Sequence, residues 1–365
     1  MKLEHHMQTS NTRPPALRHP EAIRAFDLTP LIDGHNDLAH AARGAANYSV
    51  EGLEKDSHFQ TDIGKLRGGG VGAQFWSVYA PGEIPEADAV QYTFEQIDFI
   101  YRMIRRYPQT FELARTGDDV RRIWQKGGIA SLLGAEGGHS IGSSLGVLRM
   151  MARVGLRYMT LTHNSNTSWA DSATDSTVHG GLTDFGREVV REMNALGVLV
   201  DLSHVSPDTM RDAIRTSSAP VIFSHSSCRA LCDHPRNVPD DVLRSLADNG
   251  GVIMVAFVPM FLDEEYKSWF DGGRNGPRPP VTVEHVVKHI EHARNIAGID
   301  HIGLGSDYDG FGDFPDGLHD TSAFAVLIDR LAERGWTSAE LAKLMGDNLL
   351  RVLDATSMES VSSTQ

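Results

Sequence analysis

The sequence predicts an α/β protein, a single (β/α)8 barrel of the TIM type, with a doubly wound open sheet as the alternative arrangement. Eight apolar runs of strand length recur along the chain, and most are separated by a segment of helical period. The runs are apolar on both faces, as strands are when helices cover both sides of a parallel sheet. Eight such units close naturally into a barrel.

In order, the runs are LID at 31–33, VGAQFWSVY at 71–79, IASLLGAE at 129–136, LRYMTLTH at 156–163, VLVDLSH at 198–204, PVIFSH at 220–225, GVIMVAF at 251–257 and HIGLGSD at 301–307. Gly, Pro or Asp bounds them. Between them AVQYTFEQIDFIYRMIRRY, SLGVLRMMARVG, FGREVVREMNALG, DDVLRSLADNG and VEHVVKHIEHARNIAG space their apolar residues three and four apart, which lines one helix face. The GG or NG before several strands fits helix C-caps turning into the next strand, and Pro207 stands where a helix takes its first turn. Two segments break the rhythm, 40–70 and 258–281, and both are expected as long loops at the end where barrel enzymes shape their pockets.

Composition narrows the partners. With 365 residues, 41% of them hydrophobic, the chain can bury a large core. Its 34 Lys+Arg against 48 Asp+Glu give a net charge of −14, which repels phosphate backbones and anionic lipid, so no nucleic-acid or membrane partner is expected and a small molecule is. The first twenty residues hold no apolar h-region, no stretch approaches the roughly 18 apolar residues of a membrane span, and the expected location is cytoplasmic. Cys228 and Cys232, on an apparent helix, lack a second pair to complete a metal site and are expected as reduced thiols. Residues 1–15 and 357–365 are expected as disordered tails around one catalytic domain at 16–356.

The chemistry sits at the ends of the runs. Six of the eight finish in a metal ligand or acid-base side chain: His35 with Asp37, Glu136, His163, His204, His225, and Asp307 with Asp309. In a barrel all strand C-termini meet at one mouth, so these residues converge on one pocket. Imidazole with carboxylate and no thiolate suits Zn2+, with Mn2+ or Co2+ compatible by ligand type. Five candidate ligands exceed the three of a mononuclear catalytic zinc, and two metals sharing a bridging carboxylate account for the excess.

DGHND at 33–37, VGAQFWSVY, GAEGGHSIGSSLGVLRM at 134–150, RYMTLTHNSNTSWADS at 157–172, GVLVDLSHVS, APVIFSHSS, RNVPDD at 236–241 and GSDYDG at 305–310 resemble the membrane (renal) dipeptidase family of binuclear zinc peptidases, from about residue 30 to about 355. The resemblance implies a metallo-dependent-hydrolase barrel with two Zn2+ per chain. His35 and Asp37 would hold one, His204 and His225 the other, and Glu136 would bridge them. It implies that His163 contacts the scissile carbonyl and its oxyanion, that Arg236 takes the substrate carboxylate, and that Asp307 handles a proton. His139, Trp169, Asp171 and Asp309 are read as scaffold behind the ligands. The implied reaction is hydrolysis of dipeptides, including those with a C-terminal D-residue, and a homodimer is compatible with it.

Two other readings stand beside this one. Another binuclear barrel amidohydrolase would act on a cyclic amide or related substrate, but many of those bridge their metals with a carboxylated lysine late in the fourth strand, and LRYMTLTH has none. A non-catalytic binding barrel predicts a broken ligand set, whereas all five ligands are present.

Overall fold

The structure, a computed structural model, describes residues 14–356; the expected tails fall outside the described residues except for Pro14 and Pro15. Nine parallel strands form one sheet: β1 Leu31–Asp33, β2 Val71–Tyr79, β3 Phe111–Leu113, β4 Ile129–Glu136, β5 Leu156–Thr160, β6 Leu199–Asp201, β7 Ile222–Ser226, β8 Val252–Val255 and β9 Ile302–Leu304. Their order is β2-β1-β9-β8-β7-β6-β5-β4, with β4 pairing back onto β2 from Ala73↔Ala130 to Tyr79↔Glu136. That pairing closes an eight-stranded barrel and excludes the open sheet. The short β3, absent from the sequence reading, adds to β4 through Phe111↔Ile129.

Alternation along the strands sorts the interior into layers. On β2 and β4 the inward residues begin apolar, Ala73 and Phe75 beside Ala130 and Leu132, within a buried cluster that also holds Tyr158, Ile222 and Met254. They end polar, with Ser77 and Tyr79 beside Glu136. The apolar layers plug the barrel and leave a polar floor at the C-terminal mouth. Around it the expected helices form at Glu86–Arg106, Leu145–Arg153, Asp184–Leu196, Asp240–Asn249 and Val283–Ala297. Ser206 caps the helix Pro207–Thr216 by accepting the Thr209 N–H, with Pro207 in the first turn. Gly250 ends its helix in the left-handed conformation, φ 82°, that a residue with a Cβ resists.

Four expectations are corrected. Residues 40–70 are not one loop, since helices cover Leu38–Ala46 and Ile63–Gly69; the first buries the small stripe Leu38, Ala39 and Ala42, too slight to register as an apolar period. Residues 258–281 carry helices at Pro259–Leu262 and Glu264–Asp271. Cys228 and Cys232 lie in a turn after β7, not on a helix, as buried free thiols. Finally, several strands stop short of the apolar runs: β5 ends at Thr160 and β6 at Asp201, so His163 and His204 stand on the loops just beyond them.

The first and last strands meet at the mouth. Asp33 pairs with Leu304 and Asn36 bridges Tyr308. Buried Asp33 accepts both the N–H and the hydroxyl of Ser306, at 2.8 and 2.7 Å. No helix among the described residues is long and apolar enough to cross a membrane.

Candidate metal centre

The polar floor brings the candidate ligands within reach of one another. Glu136, last residue of β4, is central. Its Oε1 lies 2.9 Å from His204 Nε2, 3.4 Å from His225 Nε2 and 3.8 Å from His163 Nε2. Its Oε2 faces the other way, 3.6 Å from His35 Nε2, and accepts the Ser77 hydroxyl. His35 Nε2 is also 3.2 Å from Asp37 Oδ2. Three groups of side chains that could hold a metal result, His35–Glu136–His225, Glu136–His163–His204 and His35–Asp37–Asp307, each with its ligand atoms within 4.8 Å of one another.

Backbone geometry explains why residues just past the strands converge. The pairing register of β7 with β8 shifts between Phe223 and Ser226, so that sequence neighbours Ser224 and His225 both turn inward. His204 and Asp307 hold left-handed backbone, φ 68° and 67°, rare for residues with side chains. The His204 carbonyl is held by the Ala173 N–H at 2.7 Å, and the Asp307 N–H donates to the His35 carbonyl at 3.2 Å. A Cβ on Gly310 would run into the carboxylates of Asp37 and Asp307, so only glycine lets this turn pass.

Second partners orient the imidazoles. His35 Nδ1 lies 2.8 Å from the Tyr158 hydroxyl, and with Nε2 holding a metal the Nδ1–H would donate to that oxygen. His225 Nδ1 is 2.8 Å from the Ser224 hydroxyl, which donates to Asp201 Oδ2 at 2.6 Å. Such contacts fix which ring nitrogen is free for a metal.

Electrostatics fit a cation. Burial alone would raise Glu136; the surrounding imidazoles outweigh it and hold the carboxylate well below the usual range. Burial, with Arg236 close to His204 and His35 close to His225, pushes both imidazoles well down, leaving neutral rings with free lone pairs, and their Nε2 atoms point at each other 3.0 Å apart. Burial opposes a charge on His35, yet Tyr158, Asp37 and Glu136 outweigh it and hold it well above its ordinary value. His35 Nε2 and Asp37 Oδ1 are buried without hydrogen-bond partners. Converging neutral nitrogens, carboxylate oxygens and orphaned buried donors suit a divalent metal.

The centre opens into a cavity of about 520 Å3 that also receives His163, Arg236 and Asp307. Burial takes His163 down to about 4, so it is neutral. Burial, reinforced by Asp37 and Glu136, raises Asp307 well above the carboxylate range despite His35 and Arg236. Arg236 is 3% exposed and donates to the His225 carbonyl at 3.3 Å, and no described carboxylate forms a salt bridge with it. Asp240 and Asp241, the nearby acids in sequence, pair instead with His292 and Arg211.

Of the residues read as scaffold, His139 bonds the Ala80 carbonyl, Asp171 accepts N–H groups of Val178, His179 and Gly180, Asp309 accepts the Gln60 N–H, and Trp169 is buried against Gly138. The sequence reading missed His40, Tyr79, Asn164, Thr174 and His234, which also line the cavity. His40 follows Asp37 by three positions, and that spacing was the available signal.

Four imidazoles and three carboxylates gathered at the C-terminal mouth of a parallel barrel define a metal-dependent hydrolase. The membrane dipeptidase family, peptidase family M19, matches residues 21–364, and the chain belongs to it as a metallo-dipeptidase. It is 42% identical over 359 residues to dipeptidase tcpJ of Claviceps purpurea (strain 20.1), spanning 95% of this chain and 81% of that protein. A metallo peptidase from Rhodobacter sphaeroides, solved with a phosphinate mimic of the dipeptide L-Ala-D-Ala, is 26% identical with a TM-score of 0.81, over 90% of this chain and 99% of that one. The probable dipeptidase PvdM from Pseudomonas aeruginosa shares the fold with a TM-score of 0.83 at 24% identity, over 92% and 97%.

Proposed function

We propose that this chain hydrolyses the amide bond of free dipeptides with two zinc ions, one held by His35 and Asp37, the other by His204 and His225, with Glu136 between them. The observation that carries the reading is the division of the Glu136 carboxylate, one oxygen toward His204 and His225 and the other toward His35, in the same cavity as a buried Arg236 that forms no salt bridge with a described carboxylate. When bound, the metals supply Lewis acidity that acidifies water and polarises a carbonyl.

This chain's own groups do the rest. Arg236 pairs with the substrate's C-terminal carboxylate, a charge-assisted contact that orients a dipeptide and rejects longer chains. Neutral His163 donates an N–H to the carbonyl oxygen as it gains charge, an effect typically worth a few kcal/mol. Asp307, made basic by burial and neighbouring carboxylates, takes a proton from the attacking water on a carboxylate oxygen and delivers it to the departing amine nitrogen. The L-Ala-D-Ala mimic bound by the Rhodobacter sphaeroides relative supports including L-D dipeptides among the substrates. The acidic chain suits small free substrates rather than nucleic acid or anionic lipid, and the reaction belongs to one catalytic domain at 16–356.

The test is a panel of L-L and L-D dipeptides beside cyclic amides, with elemental analysis of the zinc-loaded enzyme. Dipeptide turnover lost to a chelator, restored by Zn2+ and accompanied by about two metals per chain is expected. Cyclic-amide turnover without dipeptide turnover would transfer the chain to another substrate class, and full activity at one metal per chain would remove the bridging role of Glu136.

A further inference from the structure

One wall of the cavity is apolar, and the 258–281 segment builds most of it. Val258, Met260 and Phe261 line it, and Phe311 faces them from the loop after β9. Phe261 packs with Val258 and Ala256 in one buried cluster, with Met260 and Phe311 against it. The wall is anchored from behind. Phe270 stands 5.7 Å from the Phe311 ring, while the Tyr266 hydroxyl and Arg278 Nε donate to the same Asp313 oxygen at 2.6 and 2.7 Å. From the other side Gln60 Nε2 donates to the Phe311 carbonyl at 3.1 Å. The cavity is also lined by polar His40, Tyr79, Asn164 and Thr174, and by His234, whose ring stands 4.7 Å from that of Phe261.

Arg236 adjoins the apolar wall, its guanidinium carbon 5.2 Å from the centre of the Phe261 ring. Resting on the dipeptidase reading above, we propose that this wall is the side-chain subsite for the substrate's C-terminal residue and selects dipeptides in which that residue is large and apolar. Carboxylate and side chain branch from the same α-carbon. With the carboxylate on Arg236, a side chain of leucine or phenylalanine size reaches Phe261, Met260 and Phe311, whereas glycine or alanine leaves that surface to water. Moving such a side chain out of water favours binding in proportion to its apolar area, corresponding to roughly tenfold to a hundredfold in kcat/KM over glycine.

The experiment measures kcat/KM of the full-length, zinc-loaded enzyme for alanyl-glycine, alanyl-alanine, alanyl-leucine and alanyl-phenylalanine, and for the reversed leucyl-alanine and phenylalanyl-alanine. Values should climb with the C-terminal side chain, and the ratio of alanyl-phenylalanine to alanyl-glycine should fall several-fold in Phe311→Ala and in Met260→Ala. Both side chains are half-buried and pack against the core from the cavity side, so thermal unfolding of each variant accompanies the kinetics. Phe311→Leu should recover most of the ratio, whereas a purely structural role would lower every substrate alike and leave it fixed. A flat series, or a preference that follows the N-terminal residue, overturns the subsite while leaving the dipeptidase reading intact. Absence of turnover on every dipeptide overturns both.

Discussion

Tyr158→Phe removes one oxygen from the barrel interior and nothing else. That oxygen lies 2.8 Å from His35 Nδ1, whose N–H it would accept when Nε2 holds a metal, and both side chains are fully buried, so no water replaces it. The ring stays packed between Gly134 and Phe75, and the variant keeps its volume and its fold. An unsatisfied buried donor costs about 1–3 kcal/mol. Orienting partners of metal-bound histidines are typically worth 10- to 100-fold in affinity, the same range in other units. Urea unfolding of the metal-free variant should therefore show a loss of about 1–3 kcal/mol. Competition against a chelator of known strength should show zinc binding weakened about 10- to 100-fold. A variant that loses stability yet binds zinc as the parent does would reduce Tyr158 to a packing residue.

Asp307→Asn should keep its metals and lose about 10²- to 10⁴-fold in kcat, since an amide cannot take the proton; loss of a metal on elemental analysis would make Asp307 a ligand instead. Arg236→Ala and C-terminal amidation of the substrate delete the same contact, so each should cost a similar factor in kcat/KM and the combination little more than either. Additive losses would put the carboxylate elsewhere. His289 is buried between the Cys228 N–H, which it accepts, and the Leu262 carbonyl, and burial takes it from 6.5 down to about 4. The unfolded chain takes up this proton first as pH falls, so the contribution is complete above 6.5 and disappears toward pH 4. It amounts to about 3 kcal/mol in unfolding free energy, and a His289→Gln variant with an unchanged pH slope would refute it.

The barrel was legible because each strand had to be apolar on both faces and each helix on one, and those periods survive in any reading of the chain. The convergence of the candidate ligands was legible because a barrel delivers the residues at each strand's end to one mouth. What escaped depends on contacts between distant segments. Leu38–Ala46 is a helix made of alanines, stabilised by the strands it covers rather than by a visible apolar stripe. Tyr158 reads in sequence as one more apolar strand residue, and its role comes from His35, which is 123 positions away. The shift in β7 that turns both Ser224 and His225 inward breaks strand alternation, so the pattern could not assign both to one side.

The seam where β1 meets β9 sets when this protein becomes an enzyme. His35 and Asp37 lie at one edge of it and Asp307 at the other, joined through Asp33 and Ser306. A chain still emerging from the ribosome places its helices and early strands as they appear, but the reaction centre has no third side until residue 307 arrives and the ring shuts. Chains that stop before it are therefore expected to be inert. A product cut short of residue 307 would lack both β9 and the Asp307 carboxylate, so turnover is expected of completed barrels alone.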